Sequence, residues 1–166
     1  MAVSNGPATG SYVNSVGLGD VLDVTLSADT GAMADNDVIA APQEVTGFFR
    51  LPGGRCFVQS IRLLDEDLQT QDIDLLFLNA TGSIGAENAA FAPTDAVAGT
   101  IIGSVTFLIA DYITSSNNSM ATKSNLGLML KAASGTTSVW VAAVCRSGTP
   151  TYTAGGLKLK IGVMWD

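Results

Sequence analysis

The sequence predicts an all-β protein, an antiparallel two-sheet β-sandwich of jelly-roll type. Three observations carry that expectation. Strand-like runs alternate apolar and polar residues at period two, most clearly where Leu157, Leu159, Ile161, Val163 and Trp165 face one way and Lys158, Lys160, Gly162, Met164 and Asp166 the other. Clusters of Gly, Pro, Asn and Ser separate these runs. No segment of useful length has the 3.6-residue apolar period of an amphipathic helix. An up-and-down barrel is the second architecture, because alternation names faces and says nothing about neighbours.

In chain order, residues 1 to 19 carry no charge and no sustained period, so they read as an N-terminal arm preceding a sandwich domain over residues 20 to 166. Leu22, Val24 and Leu26 alternate with Asp23 and Thr25, which predicts a first strand. ADTGAMADND follows as a loop. Val38 to Ala40 suits a short edge piece, and Glu44 to Arg50 a strand closed by the turn Leu51-Pro52-Gly53-Gly54.

Cys56 to Asn79 reads as a long β-hairpin with an acidic tip, Asp65 to Asp72. Ile73, Leu75 and Phe77 form its core face. Leu76 and Leu78, matched by Leu64 on the outgoing strand, form a second apolar face that something must cover. We expect a subunit interface there, since burying three leucines is worth roughly 5 to 8 kcal/mol before association costs. Ala80 to Gly99 is small and turn-rich, with one helical turn expected from Pro93-Thr94-Asp95 to Ala98. Ile101 to Ile109 predicts a strand and Ser115 to Asn125 a polar excursion. Leu126, Leu128 and Leu130 form another inward face. Val139 to Cys145 is apolar throughout, as a strand covered on both faces is.

Composition excludes several functions. The chain has 166 residues, enough for one self-sufficient core, and no histidine, which removes every triad, zinc site or proton shuttle built on imidazole. No G-x-S-x-G elbow, phosphate loop or C-x-x-C pair is present. We expect no enzymatic activity and no cofactor. Residues are 47% hydrophobic, yet no run approaches the roughly 20 apolar residues of a membrane span, so the surplus belongs in a tight core or in subunit contacts. The net charge of -7 leaves no basic footprint for nucleic acid. Nothing in MAVSNGPATGSY marks a secretory signal, which places synthesis in a cytoplasm and makes the sequons at Asn79 and Asn117 chance matches. Cys56 and Cys145 read as small buried hydrophobes. Asp65, Glu66, Asp67, Asp72 and Asp74 form the one cluster that could hold a hard cation. Against an EF-hand loop it lacks the turning Gly, at Thr70, and the bidentate Glu, at Leu76, so a solvated tip is the simpler reading.

The order of GGRCFVQSIRLLDEDLQTQDIDLLFLN, then GAENAAFAPTDAVAGTIIGSV, then ATKSNLGLMLKAASGTTSVWVAAVCRSGTPTYTAGGLKLKIGVMWD resembles the head-decoration, or cement, proteins of tailed bacteriophages. The resemblance spans most of the chain from about Val21. It implies a β-sandwich on the outer surface of the virion head, commonly a homotrimer, clamping neighbouring major capsid protein subunits. It transfers no catalytic motif. A tail or fibre subunit would share the low charge, but a repeat or coiled-coil stalk is absent. A carbohydrate-binding sandwich would display exposed aromatics, and Trp140 and Trp165 both sit in core-like patterns.

Overall fold

A computed structural model of the chain describes residues 18–165. The arm expected over residues 1 to 19 falls outside these except for Leu18 and Gly19, the latter already the first residue of a strand. Among the described residues there are nine strands: β1 (Gly19–Leu26), β2 (Val38–Val45), β3 (Arg55–Asp65), β4 (Ile73–Leu78), β5 (Ile101–Phe107), β6 (Tyr112–Thr114), β7 (Ser119–Lys131), β8 (Val139–Cys145) and β9 (Leu157–Trp165). One helical turn, α1 (Asp95–Ala98), begins where the sequence places it. Thr94 caps it by accepting from Val97 N–H at 3.4 Å.

Two antiparallel sheets stack face to face, a five-stranded one ordered β1-β9-β3-β7-β6 and a four-stranded one ordered β2-β8-β4-β5. The pairing is nested. β1 pairs with β9, β2 with β8, β3 with β7 and β4 with β5, and successive pairs fall in alternate sheets. That is a jelly roll, the first of the two architectures expected, with β6 added as an extra edge strand beside β7.

The core lies between the sheets. Leu157, Leu159, Ile161 and Val163 of β9 point into it, as their spacing requires, against Ile73, Leu75 and Phe77 of β4. Phe48 stacks edge-on against Phe49 and tilted against Phe77, at ring separations of 5.3 and 6.0 Å. Trp165 Nε1–H donates to Phe48 O at 3.0 Å and closes that end. Cys56 and Cys145 are both buried in the core, as expected.

Four elements differ from expectation. Cys56 to Asn79 is not a hairpin: β3 pairs only with β7 and β9, and β4 only with β5 and β8, so residues 66–72 carry the chain from one sheet to the other. Glu44 to Arg50 is not a strand. Pairing ends at Val45, and Phe48 and Phe49 turn into the core as irregular backbone. The short edge piece read at Val38 to Ala40 is instead part of an edge strand that runs to Val45, with register shifts between Val38 and Ala40 and between Ala40 and Gln43; Pro42 lies within the second, where a missing N–H is tolerated. The polar excursion shrinks to a turn, because Ser119 to Asn125 joins β7 despite its polarity by pairing with β3.

Candidate interaction surface

Each sheet has an outer face, and the two differ. On the four-stranded sheet, Val38, Leu76, Leu78, Ala142 and Val144 point away from the main core and form a second buried cluster with Ile84. The cover is the turn-rich segment 79–100, which adds Phe91 and Val97. Backbone bonds clamp it along β2: Val38 N–H to Ala89 O at 2.9 Å, Asn88 N–H to Val38 O at 2.9 Å and Phe91 N–H to Asn36 O at 2.7 Å. Arg146 fastens it further, with Nε 2.6 Å from Asp74 Oδ2, a hydrogen bond to Asn36, and its guanidinium carbon 5.5 Å from the Phe91 ring centre.

The interface expected from Leu64, Leu76 and Leu78 therefore does not exist as one surface. Leu76 and Leu78 are 5% and 0% exposed beneath the chain's own segment, whereas Leu64 is half-buried on the other sheet. The need for a cover was legible in the sequence, but the covering group is internal. Trp140 packs against this cluster, and Trp165 against the main core.

The acidic cluster is also dispersed. Asp65, only 1% exposed, accepts from Asp67 N–H at 3.0 Å, Thr70 N–H at 2.8 Å and Ser119 Oγ at 3.3 Å. Those bonds hold Leu68 and Thr70 at φ of 54° and 53°, a conformation strained for a β-branched threonine. Asp67 faces the β8–β9 crossover, accepting from Thr153 N–H at 2.9 Å and coming so close to Gly156 that a Cβ there would collide. Glu66 pairs with Lys158 at 2.6 Å, Asp72 accepts from Ile109 N–H at 2.6 Å, and Asp74 holds Arg146. The tip is thus a corner zipped to a second corner, and no group of three or more metal-ligating side chains occurs among the described residues.

Beside that corner Tyr112 and Tyr152 lie with buried hydroxyls that have no hydrogen-bond partner. Burial, with the nearby Asp65 charge, pushes both phenols far above the ordinary tyrosine range. They are packing groups at any physiological pH.

The outer face of the five-stranded sheet has no comparable cover among the described residues. Register places Met129 of β7, Phe57 of β3 and Met164 of β9 in one row, all exposed. A second row runs through Thr122, Arg62, Lys160 and Asp23. A third joins Ile113, Met120, Leu64 and Lys158, with Ile113 73% exposed. An apolar row and a mixed row thus lie on either side of a charged one. Over β9, between β1 and β3, the face dips into a groove lined by Asp23, Thr25, Arg62, Leu64, Lys158 and Lys160. Sequence reasoning singled out Leu64 alone from this surface. Phe57, Met129 and Met164 occupy outward positions beside the inward apolar residues Cys56 and Val58, Leu128 and Leu130, and Val163 and Trp165, and that offset was the available signal.

No helix among the described residues is long and apolar enough to cross a membrane. No family model matches the chain, and no curated protein matches it. Among solved structures it is similar to a chain titled Desmodium yellow mottle tymovirus, with 12% identity and a TM-score of 0.32 over 89% of this chain and 79% of that one. That likeness carries no part of the reading that follows.

Proposed function

We propose that this protein is a structural virion component, a decoration or cement protein that binds the outer surface of a phage head as a homotrimer and braces neighbouring major capsid protein subunits. The observation that carries this reading is the contrast between a jelly roll sealed on one outer face by its own chain and an opposite face where Phe57, Met129 and Met164 form an exposed apolar row and Ile113 stands exposed at the edge. Faces of that kind mark protein contacts. The order of sequence phrases resembling head-decoration proteins supplies the context. A net charge of -7 favours the outside of a DNA-filled shell over its lumen, where the genome would repel it.

No catalytic role is part of the proposal. The chain lacks histidine, and each carboxylate of the acidic corner is occupied by an amide, hydroxyl or cation of the same chain. The function is mechanical: contacts made by a rigid β-sandwich resist displacement of the subunits it touches.

The test is to image purified particles and to heat heads with and without the protein. Density on the outer surface, and rupture of undecorated heads at lower temperature, are the expected results. Undecorated heads as heat-stable as decorated ones would remove the cementing role, and density at the tail or in the lumen would remove the decoration reading.

A further inference from the structure

The exposed face of the five-stranded sheet differs in charge from the rest of the molecule. Arg55, Arg62, Lys131, Lys158 and Lys160 stand on it, five of the chain's eight Lys and Arg. Of the described carboxylates only Asp23 and Glu66 accompany them, each paired with a lysine at 2.6 Å. The face is therefore formally +3 among the described residues, whose other side chains sum to -9. Two such faces brought together would set Arg62 and Lys160 of one copy against those of another, a like-charge contact that opposes association. A second copy fits only head to tail, presenting its acidic side.

One part of that acidic side also carries apolar anchors. Leu108 and Ile109, 48% and 51% exposed, project from the short 3-10 turn between β5 and β6. Their backbone is fixed: Leu108 N–H donates to Asp111 Oδ2 at 2.7 Å, Asp111 N–H to Leu108 O at 2.8 Å, and Ile109 N–H to Asp72 Oδ1 at 2.6 Å. The result is a rigid aliphatic pair between the Asp72 carboxylate and the Asp111 carboxylate, the latter ion-paired with Lys123 at 2.5 Å. The groove over β9 is its complement, with Leu64 as apolar lining and Arg62, Lys158 and Lys160 at its margins.

We propose that Leu108 and Ile109 of one copy seat in the β9 groove of the next, with Asp72 facing the groove's cations. The contact is heterologous, so its repetition gives a closed ring where the rotation between copies closes and an open filament where it does not; a trimer requires the first. The whole face, five strands about 4.8 Å apart and about eight residues long at 3.3 Å each, offers at most roughly 600 Å² per copy, or about 1,200 Å² in all, the lower bound of a specific interface. Rigid anchors favour binding because little freedom remains to be lost. This inference deepens the trimer part of the proposed function and rests on that reading only for its purpose. Its test needs no head, so the two fail separately.

Sedimentation velocity of the full chain at about 50 µM decides it, a concentration above the Kd of most interfaces of this size. The wild type should form one discrete oligomer, and Ile109→Asp and Arg62→Glu should each be monomeric. An equimolar mixture of the two variants should yield species of two-chain mass and no larger, because one supplies an intact groove and the other intact anchors. Leu108→Asp and Leu64→Asp serve as second variants for the two surfaces, and circular dichroism verifies that each folds. A monomeric wild type, folded variants that still form the full oligomer, or a mixture that stays monomeric would each overturn the proposal and leave the face to a capsid subunit or to residues 1–17.

Discussion

The outer faces of the two sheets present the same apolar surplus with opposite solutions. On the four-stranded sheet Leu76 and Leu78 are sealed by segment 79–100, pinned through Arg146 and the β2 edge. On the five-stranded sheet Phe57, Met129 and Met164 stand exposed among cations. An apolar side chain on a sheet's outer face is thus either internal structure or contact surface, and alternation cannot distinguish the two. Burial by a distant segment does.

The sharpest break of that contrast is Leu78→Asp. A carboxylate forced under the cover has no partner, so we expect a loss of about 4 kcal/mol or more, or no folded protein, read by urea denaturation. Asp65→Ala attacks the corner joining the two sheets. It leaves two backbone amides and the Ser119 hydroxyl without their acceptor and should cost about 2 to 4 kcal/mol by the same measurement. Arg146→Ala should cost about 1 to 3 kcal/mol, since it removes a charge-assisted bond and a cation–π contact, and hydrogen exchange should rise within residues 84–98 while β9 stays protected.

Alkaline titration probes the interior between the faces. Tyr112 and Tyr152 have folded pKa values raised above the ordinary 10.0, so the native state retains its protons longer than the unfolded chain. Their contribution is fully present below pH 10 and is lost progressively above it. Phenolate absorbance from these two residues should therefore appear together with loss of the β-sheet dichroism. A phenolate signal from either one while the sheets remain intact would contradict their burial.

The smallest effect is expected at Phe57→Asp. On the exposed face it should change the unfolding free energy of the monomer by no more than about 0.5 kcal/mol. A loss comparable to that of Leu78→Asp would mean that the two faces are not different after all.

Local chemistry wrote several features into the sequence by itself. The inward residues of β9, the double-sided burial of β8, the turn at Asp95–Ala98 and the need for a cover over Leu76 and Leu78 all follow from side-chain period, capping and hydropathy. The lack of imidazole chemistry is equally plain from composition. What the tertiary structure alone decided is partnership. Cys56 to Asn79 looked like a hairpin because two strands beside a polar centre satisfy that pattern locally, yet β3 finds β7 and β9, and β4 finds β5 and β8. Asp65 looked solvated because aspartate next to glutamate usually is, yet its acceptors are taken by Asp67, Thr70 and the distant Ser119. Leu64 was separated from Leu76 and Leu78 for the same reason. Alternation records which side of a strand is apolar, whereas pairing between residues as far apart as Gly19 and Met164 depends on how the whole chain closes.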